Sequence, residues 1–330
     1  MPTITRHPDA VQWDQLIQHS TSASPFQERR FLDFLNQTPY YEGYCLGVEE
    51  EGELKGVVVA MIQREGGPIK RQFTQRAIIH GGPVLAADIS QEALQMLLVT
   101  CCRQLRKRAI YIETRNYHDY AAHRTAFASA GFRYMPHYDF HLPIDDEPEA
   151  HYHKNRLRNL RYAQRTDITI DENPTLESVA EFYNLLQILY HTKVHTPLPH
   201  WKLFESAYHL PNVHYITASD GTGRTVGGIM VIDLERRIRY LWYVGSDLAA
   251  KGKNIDTLLY HAAIKQCQRE GIGLFDFMGG GKPGDGHYGV RDFKARWGAD
   301  LVEYGRFIHI GHPLRYLLGR VAVKMMKRKR

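Results

Sequence analysis

Two neighbouring phrases, Leu274-Phe275-Asp276-Phe277-Met278-Gly279-Gly280-Gly281 and Val290-Arg291-Asp292-Phe293-Lys294-Ala295-Arg296-Trp297-Gly298, concentrate the chemistry-bearing residues of this chain. They read as a buried strand, a glycine-rich loop and a short helix that opens on a cluster of charge. Glycines at a strand-to-helix junction let backbone N–H groups come close to an anion. A lysine one turn later adds a point charge to the same place. Arg291 and Arg296 flank that lysine and either grip phosphates or face solvent. The combination suits a cleft for a phosphorylated or acyl-carrying substrate. Despite Lys282, the phrase lacks G-x-x-x-x-G-K-[ST], which excludes a nucleotide-hydrolase loop.

The elements that must hold these residues come next. The chain has 330 residues, enough for one large domain or two ordinary ones. Apolar residues make up 43% and charged residues 24%, the balance of a water-soluble globular protein. No 18-residue apolar run is present, and the polar, mixed-charge first 30 residues read as neither signal peptide nor anchor. Cys45, Cys101, Cys102 and Cys267 form no C-x-x-C pair, so a reduced, cytoplasmic protein is expected. The net charge of +6 is uneven: eight Lys or Arg and no acid follow Glu303, and Lys154 to Arg165 holds five cations and no acid. Such blocks point to an anionic partner (a phospholipid surface, a nucleotide sugar or RNA) or to a solvated face.

Apolar residues at 94, 97, 98, 101, 102 and 105 predict a helix over Gln91 to Arg108, and Leu258, Leu259, Ala262, Ala263 and Cys267 predict another over Ile255 to Arg269. Strands are expected at Tyr44–Val48, Leu54–Gln63, Phe73–Pro83, Arg108–Glu113, Val213–Ser219, Val226–Leu234, Arg239–Val244 and Gly273–Met278, with a hairpin turn at Glu49–Gly52. The interval from Ser90 to Tyr111 equals that from Asn254 to Phe275, 21 positions each. An α/β chain with two halves of the same strand–turn–helix–strand cadence follows, an internal duplication at the level of fold. The boundary is expected near residue 148, after the acidic linker Asp145-Asp146-Glu147-Pro148, with linker helices over 151–190 opening the second half and a basic amphipathic helix over 313–330.

The order and spacing of several phrases resemble the Fem family of peptidoglycan-bridge aminoacyltransferases, a doubled version of the acetyltransferase superfamily. The phrases are Gly81-Gly82-Pro83-Val84, Lys154 to Gln164, Tyr240-Leu-Trp-Tyr-Val-Gly-Ser246, Phe275-Asp-Phe-Met-Gly-Gly280 and, most specifically, Phe293-Lys294-x-x-Trp297-Gly298. The resemblance spans most of the chain. It implies two tandem acetyltransferase-like (GNAT-like) domains, 1–148 and 149–312, each a mixed twisted sheet flanked by helices, without the coiled-coil insertion of some members. It implies transfer of an amino acid from aminoacyl-tRNA to an amine of a cell-wall precursor, or acyl-CoA-dependent N-acylation in a polysaccharide, amino-sugar or lipid pathway. Either donor is a substrate, so no cofactor is implied. The family's functional lysine maps onto Lys294. A tyrosine near the precursor maps onto Tyr243, with Tyr240 as the fallback. His195 stands in Thr192-Lys193-Val194-His195, where an arginine is common. Phe31 and Phe34 follow Gln27 where a tryptophan and a lysine are frequent. Both departures bear on the precursor's anionic groups.

Acyl transfer to an amine needs a proton acceptor and a donor for the tetrahedral oxyanion. Lys294 supplies charge to that oxyanion or to a phosphate, or else is a surface lysine at a helix start. Asp276, alternating with Phe275 and Phe277, takes or binds the amine proton, or hydrogen-bonds the glycine loop. Arg158 and Arg161, in the basic block, are candidates for phosphate contacts. Lys251 and Lys253, before the helix at 255, with Gly279 and Gly280, are candidates for the donor's phosphates; in the superfamily that turn holds a pyrophosphate. His191 and His195 lack the companions of a metal site, and no metal is expected. The tail over 313–330 lies on an anionic membrane or packs on the domain. Two other classes stay open: a non-catalytic module recruited to a membrane, and an RNA-binding protein.

Overall fold

The structure, a computed structural model, describes residues 1–64, 67, 75–285 and 289–319. The chain divides into two compact units: Met1–His137 with the segment from Glu303 onward, and Tyr138–Val302. The division falls at 137/138 rather than near 148, because the strand that follows His137 already belongs to the second unit.

In the first unit, strands β1 (Thr3–Thr5), β2 (Tyr41–Glu50), β3 (Glu53–Gln63), β4 (Arg76–Gly81), β5 (Val84–Leu85), β6 (Tyr111–Asn116) and β7 (Arg133–Met135) accompany helices α1 (Ala10–His19), α2 (Arg29–Gln37), α3 (Gln91–Leu105) and α4 (Arg124–Ser129). The β2–β3 hairpin turns through Glu51 and Gly52, both at positive φ (54° and 84°), the twist that antiparallel strands favour. The ladder runs β1-β2-β3-β4-β6, and β4 and β6 are parallel. α3 joins them, the usual crossover for a parallel pair. Its predicted stripe is the buried one: Leu94, Leu97, Leu98, Cys101 and Leu105 pack on Leu46, Val58, Ile79 and Ile112. The strand expected from Arg108 starts at Tyr111, since Arg108 and Ala109 still close the end of α3.

The second unit repeats the plan with β8 (Tyr138–Pro143), β9 (Thr169–Asp171), β10 (Val213–Ser219), β11 (Thr225–Leu234), β12 (Ile238–Ser246), β13 (Leu274–Asp276) and β14 (Asp300–Glu303). Helices α5 (Lys154–Ala163), α6 (Leu176–Leu189), α7 (Trp201–Ala207), α8 (Ile255–Glu270) and α9 (Gly289–Ala295) complete it. β12 and β13 are the parallel pair, joined by α8. Ser90 and Asn254, the start points of the equal intervals, are the N-caps of α3 and α8.

Two strands join the sheet on the other side of the boundary expected near residue 148. β15 (Arg306–Ile310), from the end of the chain, sits between β6 and β7 in the first sheet; β8 sits between β13 and β14 in the second. Beneath the second sheet, Arg239 is fully buried and donates to both oxygens of Asp233 (2.8 and 2.7 Å), to Gln266 (2.9 Å) and to Glu270 (2.7 Å). A buried guanidinium is tolerated only when so fully paired. Of the predicted tail helix, 313–319 is helical; residues 320–330, with Arg320, Val321, Lys324, Met325 and Lys327, and the start of the predicted Phe73 strand lie outside the described residues.

Candidate active site

The ladder between β12 and β13 has three rungs and stops at Tyr240–Asp276, while β12 runs on to Ser246. Met230 pairs with Tyr243 and Val231 with Leu241, so Trp242 is an extra residue, a bulge, in the parted segment. A bulge bends its strand away and re-aims its side chains. Two parallel strands that part in this way open a wedge in which a substrate carbonyl can meet main-chain donors.

The exit of β13 is fastened from below. Lys294, on α9, is 4% exposed. Its ammonium donates to the carbonyls of Phe277 (2.7 Å) and Gly279 (2.9 Å) and to that of Met278. An ammonium has three N–H bonds, and all three end on this loop. Lys294 is therefore not a surface lysine: its three N–H bonds hold the carbonyls of the loop. Burial pulls its pKa down to about 8, against the attraction of Asp139 and Asp276. Arg291 holds the far side, donating to the carbonyls of Gly280 (3.1 Å) and Lys282 (2.9 Å).

The loop's own N–H groups are divided. That of Met278 goes to Asp276 Oδ1 (2.7 Å) and that of Gly280 to the Tyr138 carbonyl (2.6 Å). That of Gly279 has no partner among the described residues. A trans peptide sets N–H opposite its C=O, so with the Met278 carbonyl on the ammonium the Gly279 N–H points away from it. Among the described residues beyond its chain neighbours, no atom lies within 4 Å of where a Gly279 Cβ would stand. Met278, Gly279 and Gly281 all have positive φ (48°, 60° and 83°), the conformation that glycine makes accessible.

Asp276 is 1% exposed. Its second oxygen lies 3.3 Å from His141 Nε2, its direct neighbour across the β13–β8 ladder. Asp139, two residues before His141 on the same face, is also buried. Burial first, then the Asp276 carboxylate, pushes the Asp139 carboxyl well above its usual range. Burial works to keep His141 uncharged, but Asp276, Asp139 and Asp300 outweigh it and raise its pKa. Asp276 thus serves the loop, the second of its two expected roles, and shares its carboxylate with a histidine.

The other expected residues are scattered. Tyr243 lies in the parted segment, half-buried, with its ring 4.9 Å from that of Phe204. Tyr240, on the last rung, is fully buried. Arg158, Arg161 and Arg296 are exposed. His195 is exposed and left-handed (φ 53°) at the end of the helical turn Tyr190–Val194. Lys253 reaches Asp167 (2.5 Å); the side chain of Lys251 lies outside the described residues. Gly280 packs closely, its Cβ position 3.0 Å from Phe140 and Tyr138.

Three residues of this neighbourhood escaped the sequence reading. Arg156, not its basic neighbours, turns inward from α5: it donates to Thr257 Oγ1 (2.8 Å) and the Phe293 carbonyl (2.9 Å) and lies over the rings of Phe293 and Trp297 (4.0 and 4.5 Å). Asp139 and His141 were missed as well. The signal for them was there: two ionisable residues alternate with Phe140 and Leu142 in one short strand.

Each unit is thus an acetyltransferase-like α/β domain, and the chain is a tandem of two. Residues 151–294 match the acetyltransferase (GNAT) domain family, a family of acyltransferases. No curated protein matches the sequence. Among solved structures, FemX superposes with a TM-score of 0.71 at 14% identity, covering 96% of this chain and 100% of its own. L-PGS from Bacillus licheniformis gives 0.59 at 12% identity, covering 99% of both chains. A tandem GNAT protein from the clavulanic acid biosynthesis pathway gives 0.60 at 12% identity, covering 94% of this chain and 98% of its own. These likenesses extend the doubled fold over both units.

Proposed function

We propose that this chain is an N-acyltransferase of the Fem type that moves an aminoacyl group from aminoacyl-tRNA to an amine of a cell-envelope precursor. The observation that carries the acyl-transfer reading is the enclosed Lys294 ammonium beneath the strand exit, with the Gly279 N–H directed away from it. A carbonyl bonded to an ammonium polarises its peptide, so the N–H on the opposite side becomes a stronger donor. A fixed donor of this kind suits the oxygen of a tetrahedral intermediate.

In the step so catalysed, the amine nitrogen attacks the ester carbonyl carbon. The C–N bond forms, the C–O bond to the tRNA ribose breaks, and the amine proton leaves for the released ribose oxygen. The donor choice is supported by the exposed cations Lys154, Arg158, Arg161 and Arg165 on and just after α5, which suit a polyanion. The envelope acceptor rests on the family resemblance, and FemX is among the structures that share the doubled fold. A second reading, an acyl-CoA donor, is supported by the Lys251–Asn254 turn at the start of the 16-residue helix α8, a position suited to a pyrophosphate.

The test offers purified protein either a mixed aminoacyl-tRNA pool or a mixed acyl-CoA pool, with nucleotide- and lipid-linked muropeptides, and reads acceptor mass. Aminoacyl mass gain with the tRNA pool, suppressed by salt, is the expected result. Gain with the thioester pool alone moves the donor to CoA. No gain with either pool contradicts the enzyme reading.

A further inference from the structure

The tail helix, residues 313–319, presents its apolar side to water. Leu314, Leu317 and Leu318 stand at i, i+3 and i+4, one stripe of a helix, and are 78%, 58% and 57% exposed. Tyr316, on the opposite side, meets the protein: its ring lies edge-on to that of Tyr111 at 5.4 Å. The approach to the helix is fastened as well. The N–H groups of Gly311 and His312 donate to the Ile110 carbonyl (3.0 and 3.1 Å), and His312 Nε2 lies 2.7 Å from the Arg106 carbonyl oxygen. The tyrosine side is held and the leucines point outward, the reverse of a helix that packs its apolar stripe on a core.

The same junction gathers cations. Arg103 on α3, and Arg106 and Lys107 just after it, are exposed and have no ion-pair partner among the described residues. Arg315, beside the leucine stripe, is likewise exposed and unpaired there. Seven helical residues rise about 10 Å, so the stripe stays close to the turn that carries Arg106 and Lys107. The sequence over 320–330, outside the described residues, adds six Lys or Arg and no acid. Leucines left in water forgo the stabilisation of burial, so the stripe calls for a partner. A second copy of this face would bring like charges together. RNA takes cations but stacks its bases on aromatic rings, and the one ring of this helix, Tyr316, is turned inward. An anionic bilayer answers both features: leucines enter the acyl boundary while cations meet lipid phosphates.

We propose that the leucine stripe of 313–319, with Arg103, Arg106, Lys107 and Arg315 around it, docks the first unit on the surface of an anionic phospholipid bilayer. The contact is peripheral, since three leucines on two turns enter the acyl boundary without crossing it. It is a property of the first unit alone and does not depend on the acyl-transfer reading.

Flotation of the full-length protein with vesicles tests it, one set of phosphatidylcholine alone and one of equal parts phosphatidylcholine and phosphatidylglycerol. The expected result is flotation with the anionic set, weakened by added salt, and none with phosphatidylcholine alone. Leu317→Glu should weaken that binding at least about tenfold, the scale of one leucine kept out of the acyl boundary. Arg103→Gln combined with Arg106→Gln should do the same by removing two surface charges. Ile188→Glu, at a similarly exposed apolar position (54%) of the second unit, should change nothing. No flotation by the wild-type protein overturns the proposal, as does equal flotation with both sets or binding that either the leucine or the arginine variant leaves unaltered. A concentration-dependent dimer in sedimentation without vesicles, dissolved by Leu317→Glu, assigns the stripe to a second copy and overturns it too. So does a mobility shift with tRNA, abolished by the arginine variant, in a protein that does not float.

Discussion

Lys294 shows how a residue can be legible in a sequence while its surroundings are not. Its place in Phe-Lys-x-x-Trp-Gly was legible in the sequence, but its three carbonyl partners were not, because they lie 15 to 17 positions upstream in a loop of unusual backbone. As a positioning residue it should show two deficits when replaced. Lys294→Met, which keeps the stem and removes the charge, should lower the melting temperature and cut kcat about 100-fold, the scale of a lost oxyanion donor, with little change in KM for the amine. Loss of stability with kcat intact would refute its action through Gly279. Asp139 gives a prediction of a different sign. A carboxyl whose folded pKa is raised binds its proton more tightly in the native state, so stability falls as pH rises from about 3.9, the unfolded value, through the folded value. Asp139→Asn mimics the protonated form. Urea midpoints should coincide near pH 4 and the variant should be the more stable at pH 8; equal midpoints at both would contradict the assignment.

At the scale of elements, periodicity located the two central helices and most strands within a few residues, because each buries one stripe or face against a sheet. The strand set at Gly273–Met278 proved to pair only over Leu274–Asp276. Its last residues leave the ladder to form the exit that Lys294 holds, and apolar alternation carries no mark of where pairing stops. The Trp242 bulge was equally invisible, since an extra residue shows only in register. Gly298 was legible as part of a phrase but not as a backbone need. It has φ 79°, and a Cβ there would stand 2.4 Å from the His151 carbonyl oxygen. Gly298→Ala should therefore destabilise the second unit by about 1–3 kcal/mol or more, seen as a lower chemical-denaturation midpoint; a neutral effect would mean that the α9 exit can move away from α5's approach.

At the scale of the molecule, duplication was legible and exchange was not. Equal spacings announced two similar halves, but nothing in a linear pattern says that β8 and β15 each complete the other half's sheet. Ending the chain at Val302 should thus unfold the first unit, since it withdraws the strand between β6 and β7. Circular dichroism and protease resistance of that truncation check the point, and a native-like first unit would contradict it. Because both units possess a parallel pair that closes on glycines, Gly81-Gly82 in one and Gly279–Gly281 in the other, the account rests on which exit handles the acyl group. Photolabelling with donors whose acyl group carries a diazirine, followed by peptide mapping, measures this directly. Label within 241–246 and 277–281 is the predicted outcome. Label confined to the 80–85 and 115–120 exit of the first unit would contradict the assignment of transfer to the second.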